Sequence, residues 1–277
     1  MHVIVTRVQP QASQWALQLA QQGHTACAWP LIETRALVHN HALTQAWQRL
    51  ASYAAVMFVS GHAVNYFFEK KHALALSDIA SGTINFRAWG TGPGTRAALL
   101  AQGMPPARVD APSAESAQFD SENLWQQVHT QVGPDSRVLI VRGDTVVGDG
   151  LPSPLTATDQ TGSDYAGVGR DWLAQRLQAA GAQVDYVVAY QRGAPIWDGD
   201  QTTQAALAAS NGSVWLFSSA EAVGNLASLL PGQSWSEARA VATHERIAQA
   251  VQRLGFGVVG LASPTLPSVL ASIESLP

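Results

Sequence analysis

Lysine is nearly missing from this chain. Only Lys70 and Lys71 occur, side by side, and the other fourteen positive charges are arginines scattered from Arg7 to Arg253. Formal net charge is −4 and no basic tract exists, which argues against nucleic acid as a partner. Neither lysine follows a GxxxxG, so there is no P-loop to cradle a nucleotide phosphate. Cysteine is scarcer still. Cys27 stands alone and cannot form an internal disulfide, which suits a reducing compartment such as the cytoplasm. CxxC, HExxH and zinc-finger spacings are absent, and His39 and His41 have no third ligand near them, so no metal site is expected. A GxSxG nucleophile elbow is absent too. No apolar run approaches the ~20 residues of a membrane span. Arg7 interrupts the only apolar run at the N-terminus, so neither a signal peptide nor a membrane partner is expected.

What is present is a repeat. Val3-Ile4-Val5 ends in Thr6-Arg7, and a helix that starts after Gln9-Pro10 and contains Trp15 and Leu19 stops at Gly23 before a second extended run to Ile32. Near the midpoint the pattern starts over: Val138-Leu139-Ile140-Val141, Arg142-Gly143, a helix through Leu173 and Leu177, a stop at Gly181, and a strand from Val184 to Tyr190. Val56 to Ser60 with Ala63-Val64 returns as Val214 to Ser218 with Ala222-Val223, and Arg87 to Gly103 returns as Arg239 to Gly255, 152 positions on. Each copy alternates strand and helix, the signature of parallel α/β sheets. The expected architecture is two similar flavodoxin-like parallel-sheet domains joined by two crossing linkers and facing a cleft. Domain one is 1–36 plus 194–277, and domain two is 37–193. At 277 residues two such domains fit, and folding buries roughly 75% of the unfolded chain's surface without disulfides. Residues 144–168 show no periodicity and hold several Gly, Pro, Thr, Ser and Asp residues, which predicts a mobile, dispensable loop.

In open parallel sheets ligands bind beyond the carboxyl ends of the strands. Here those ends carry Thr6-Arg7, Ser60-Gly61-His62, Gly92 to Thr95, Arg142-Gly143, Tyr190, Ser218-Ser219 and Thr243-His244. Small and hydroxylated turns before helices expose backbone N–H groups backed by a helix dipole, which suits carboxylates or phosphates. The blander alternatives stay open. Serine and threonine there can be simple helix caps, the arginines can be surface ion pairs, and Tyr190 can be a core-edge tyrosine. Facing a ligand, the Tyr190 phenol could serve as a general acid. The glycines at 90–94 follow GxGxG rather than GxGxxG, and the repeat partner has none, so no nucleotide site is read there.

Taken in order, the chain resembles the uroporphyrinogen-III synthase family along its full length. The residues that carry the resemblance are Thr6-Arg7, Pro30-Leu31-Ile32-Glu33, Phe58-Val59-Ser60-Gly61-His62-Ala63-Val64, Gly92-Pro93-Gly94-Thr95, Arg142-Gly143, Gly169-Arg170-Asp171-Trp172-Leu173, Gly181-Ala182-Gln183-Val184 and Tyr190-Gln191-Arg192. Two departures stand out: a longer connection over 144–168, and Ile247 where many members carry threonine. The resemblance implies cofactor-free cyclisation of hydroxymethylbilane, a flexible linear tetrapyrrole with eight carboxylates, with inversion of its last ring. It implies Tyr190 as the catalytic candidate. Substrate-binding candidates are Arg7, Ser60, Gly61, His62, Gly92, Thr95, Arg142, Gly143, Arg170, Ser218, Ser219 and Thr243. Ser60 and Thr95 are expected to act mainly through their turns' N–H groups, so that alanine at either is tolerated. The chain is expected to be a monomer, with room for transient contact with neighbouring pathway enzymes. The rivals are a non-catalytic cytosolic two-domain binding protein for a polycarboxylate or tetrapyrrole ligand and a two-domain glycosyltransferase, although nothing marks a nucleotide site for the latter.

Overall fold

The computed structural model describes residues 1–69, 79, 81–112, 121–145 and 168–277, with the side chains of the last stretch described from Trp172 onward. The chain opens with β1 (His2–Val5), helix Gln11–Gln21, β2 (Thr25–Ala28), β3 (Glu33–Ala36), helix His41–Gln48, β4 (Ala55–Phe58) and helix Gly61–Glu69. Then come β5 (Arg87–Gly90), helix Pro93–Ala101, β6 (Val109–Asp110), helix Ser121–Val128, β7 (Arg137–Thr145), helix Val168–Ala179 and β8 (Gln183–Gly193). Helix Gly199–Leu207, β9 (Val214–Phe217), helix Ala220–Leu229, β10 (Arg239–Ala242), helix Glu245–Leu254, β11 (Val258–Leu261) and helix Leu266–Glu274 complete it.

Two compact units result, Met1–Thr34 with Gly193–Pro277 and Arg35–Arg192. The first, unit 1, is built on a five-stranded parallel sheet ordered β11-β10-β9-β1-β2. Parallel strands need crossover helices, which cover both sheet faces, so central strands turn apolar throughout. Val214-Trp215-Leu216-Phe217 is such a strand, wholly buried. Its alternate residues serve two separate cores. Trp215 and Phe217 pack with Ile4, Ala240 and Phe256 on one side, and Val214 and Leu216 pack with Val3, Val5 and Val269 on the other. The Thr6 hydroxyl donates to the Leu216 carbonyl at 2.8 Å, tying the end of β1 to a strand 210 residues away. The second, unit 2, carries a six-stranded sheet ordered β3-β8-β7-β4-β5-β6, with the pairs from β8 to β6 parallel.

Several elements differ from the sequence expectation. The sequence predicts that the first half-unit ends at residue 34 and a crossover begins at 35, yet Glu33–Ala36 forms a strand at the edge of the unit 2 sheet beside β8. Its Glu-Thr-Arg-Ala sequence has no apolar alternation and could not announce a strand. Beyond Pro195 the sequence predicts a plain linker, but the stretch contains helix Gly199–Leu207, fixed by a capping box: the Gln201 N–H donates to Asp198, and the Asp198 N–H donates to the Gln201 side chain. Of the loop expected over 144–168, residues 146–167 lie outside the described residues. Asp144 and Thr145 extend β7, and Val168 opens the next helix.

At the amino ends of the unit 2 strands a small network fixes how β4, β7 and β8 start. Arg137 pairs with Asp185 at 2.6 Å, and the Tyr53 hydroxyl donates to the same carboxylate at 2.9 Å. Burial first, then the bond to Asp185, pushes the Tyr53 phenol up to about 12. A raised folded value means the neutral phenol is the form the fold favours. Its stabilisation is complete below the ordinary value near 10 and is lost as pH climbs from there to about 12. Replacing Tyr53 with phenylalanine should therefore flatten the fall in stability across that interval. Denaturant midpoints taken from about pH 9 to 12 on both proteins check it, and parallel curves would contradict it.

Candidate functional site

The best-defined cluster of sequence-selected residues lies at the carboxyl ends of β4, β7 and β8 in unit 2. β7 and β8 run on past the ends expected from the sequence, so Arg142 and Gly143 lie within a strand rather than in a turn, and Tyr190 lies inside β8 rather than at its end. Pairing proceeds in register up to Arg142 opposite Val188. It then skips Ala189, so that Gly143 faces Tyr190. This is a β-bulge, a device that re-aims side chains and is common beside functional sites. Ala189 and Tyr190 are successive residues and both are buried, which a strictly alternating strand with one covered face would not give.

Room for the Tyr190 ring comes from Gly143. A Cβ on Gly143 would drive into the ring carbons and come within 2.8 Å of the hydroxyl oxygen. The ring stacks on Tyr66, centroids 5.3 Å apart and 19° from parallel, and His62 tilts against it at 6.0 Å. The Tyr190 hydroxyl lies 3.2 Å from the Ser60 Oγ. Ser60 in turn accepts the N–H of Ala63 at 3.1 Å, capping helix Gly61–Glu69. Burial and then the positive charge of Arg192 hold the His62 imidazole below its ordinary range, which keeps it neutral around pH 7. With Asn65, Phe68, Glu69 and Gln102, His62 and Tyr66 also line a depression of about 500 Å³.

The other selected residues of unit 2 surround this group less closely. Gly61 packs against helix Pro93–Ala101, where a Cβ would meet Ala98 at an ordinary 3.6 Å, so glycine is not required there. Gly92 caps that helix in extended backbone with φ of 174°. Thr95 is buried one turn inside it, its hydroxyl 3.3 Å from that of Thr91, which itself donates to the Val59 carbonyl. Arg142 places its guanidinium 5.2 Å over the Tyr186 ring. Arg170 belongs to helix Val168–Ala179, and its side chain lies outside the described residues.

Unit 1 presents the remaining candidates at its own strand ends. Arg7 lies 4.4 Å over the Trp15 ring, and burial lowers its guanidinium from the ordinary value. Its Nε has no hydrogen-bond partner among the described residues. Ser219 caps helix Ala220–Leu229 by accepting the Glu221 N–H, and Ser218 precedes it half-buried. Thr243 is buried, its N–H donating to the Phe217 carbonyl. Ile247 is part of the unit 1 core. Among the described residues no group of three or more His, Cys, Asp or Glu could hold a metal ion.

Sequence reasoning missed Tyr66. The signal was there, since His62, Tyr66 and Glu69 are spaced for one helix face. Nothing in the sequence, however, says which ring will stack on them.

Compared with family models, residues 13–161 and 164–271 match the one described as Uroporphyrinogen-III synthase HemD. The chain belongs to the uroporphyrinogen-III synthase family. Its enzymatic role is therefore in tetrapyrrole biosynthesis. Among solved structures it resembles uroporphyrinogen-III synthetase from Helicobacter pylori, at 14% identity, 99% coverage of both chains and a TM-score of 0.55. It is also similar to a mutant uroporphyrinogen III synthase from Thermus thermophilus, at 16% identity, covering 99% of this chain and 97% of that one, with a TM-score of 0.49. The Helicobacter likeness supports the two-domain α/β fold of the family. No curated protein matches the chain.

Proposed function

We propose that this chain closes hydroxymethylbilane to uroporphyrinogen III, a cyclising hydro-lyase reaction that inverts the last pyrrole ring and releases water. The family match over nearly the whole chain carries the reading. The reaction as written involves no net oxidation or reduction, so the pyrrole electrons suffice. The ring nitrogen of the hydroxymethyl-bearing pyrrole pushes its lone pair outward and the C–O bond breaks. Tyr190 donates its proton to the departing oxygen, and an electrophilic azafulvene remains. The far end of the chain carries its own electrons to that carbon through the substituted position of its terminal ring, giving a spiro intermediate. That intermediate reopens and recloses at the free position. The proton lost as the last ring regains aromaticity balances the one spent on water.

The reacting ends must be held together, and positioning of this kind is worth roughly 7–11 kcal/mol at best. Eight carboxylates suit donors of the type found at the strand ends: backbone N–H groups of turns, hydroxyls, and single arginines such as Arg142 and Arg7. We assign the protein to the cytoplasm as a monomer, an assignment that fractionation and sedimentation of the purified chain would check. The deciding experiment is incubation with freshly generated hydroxymethylbilane, followed by identification of the uroporphyrin isomer. The type III ring supports the reading. The type I ring alone, the uncatalysed product, ends it.

A further inference from the structure

We propose that Ser60 is a positioning residue for Tyr190: its hydroxyl supplies the hydrogen bond that receives the charge left on the Tyr190 oxygen when the phenol gives up its proton. The inference rests on the reading of Tyr190 as general acid. A serine hydroxyl has one proton to donate and two lone pairs. One lone pair is already committed, because Ser60 Oγ accepts the Ala63 N–H at 3.1 Å, and an amide can only donate. The contact to the Tyr190 hydroxyl, at 3.2 Å, can run either way while the phenol is protonated. Once the proton has left, the phenolate oxygen can only accept, and Ser60 holds the proton that points to it. A bond to an ionised acceptor is shorter and about twice as strong as a neutral one. It strengthens as the proton transfers, which is the condition for lowering the barrier rather than only binding substrate.

Surroundings support the same role. Ser60 stands at the start of helix Gly61–Glu69, whose positive end favours negative charge nearby. The rings of Tyr66 and His62, and the missing side chain at Gly143, confine the Tyr190 ring so that its oxygen stays in reach of Ser60. This gives the Ser60 hydroxyl a role of its own beside the turn's N–H groups that the sequence points to.

Three substitutions separate this from a plain helix cap. Ser60→Ala removes both cap and donor. Ser60→Asp keeps a cap acceptor but has no proton to give at neutral pH. Ser60→Thr keeps both. The expected result is a kcat about tenfold lower in Ser60→Ala and at least as low in Ser60→Asp, and near the parent in Ser60→Thr. KM should stay close to the parent's in Ser60→Ala. In a Tyr190→Phe background, Ser60→Ala should lower kcat no further. If Ser60→Asp turns over like the parent, Ser60 is only a cap and the inference is overturned. It is also overturned, with the general acid intact, if Tyr190→Phe is slow and Ser60→Ala slows it again by the same factor. If Tyr190→Phe is as fast as the parent, the general-acid reading itself has failed. A Ser60→Ala protein too unstable to assay leaves the comparison of Ser60→Asp with Ser60→Thr, both of which retain a cap, to decide.

Discussion

Tyr190→Phe is expected to slow turnover by about ten- to a thousandfold, the usual range for loss of a general acid. The substitution removes one atom and keeps the ring. Packing against Tyr66 and His62 survives, and so does the fit over Gly143. The only hydrogen-bond partner identified for the hydroxyl among the described residues is Ser60. Loss of one such bond costs the fold about 1 kcal/mol, too little to unfold a domain of ordinary stability. The loss should therefore fall on kcat, because the proton matters only as the C–O bond breaks, with little change in KM. Steady-state rates on fresh hydroxymethylbilane, with unfolding followed in parallel, make the check. A parent-like kcat would remove Tyr190 from the mechanism.

Gly143→Ala should be damaging for a different reason. The added methyl occupies space that the Tyr190 ring fills, and the backbone on both sides is strand paired across the bulge. One of the two must move. Overpacking of this kind costs about 1–3 kcal/mol. Misplacing a catalytic group by about 1 Å can lose on the order of a hundredfold in rate. The expected outcome is thus a loss in both stability and kcat, unlike Tyr190→Phe. Shrinking the partner tests the cause: in a Tyr190→Ala background, Gly143→Ala should no longer destabilise. An undiminished stability loss there would place the problem in the backbone of β7 instead.

The elements legible in the sequence were those whose cause is local. Val214 to Phe217 and Ala55 to Phe58 read as strands because both faces of a central parallel strand are buried, leaving a continuous apolar run. Gly23 and Gly181 read as helix stops, and both adopt positive φ, 86° and 88°. What escaped depends on partners distant in the chain. β3 is a strand only because β8 lies beside it. The bulge at Ala189 exists in the register between β7 and β8, whose facing residues Gly143 and Tyr190 are far apart in sequence. Gly143 was selected as a turn glycine, but the structure gives it a steric reason that no motif encodes. Ser60 and Tyr190 were both selected. Their hydrogen bond joins residues 130 positions apart, and only the fold could reveal it.

The interrupted path of unit 1 bears on how the protein is made. Unit 2 is one continuous stretch, Arg35–Arg192, but β1 needs β9 beside it, and β9 is translated only after the whole of unit 2. At about 5–20 residues per second, roughly ten to forty seconds separate the synthesis of β2 from that of β9. During that wait Val3, Ile4 and Val5 have β2 and the first helix beside them but lack the strand on their other edge. One edge of the first strand thus stays unpaired until late in synthesis, while the stretch that follows can already be complete.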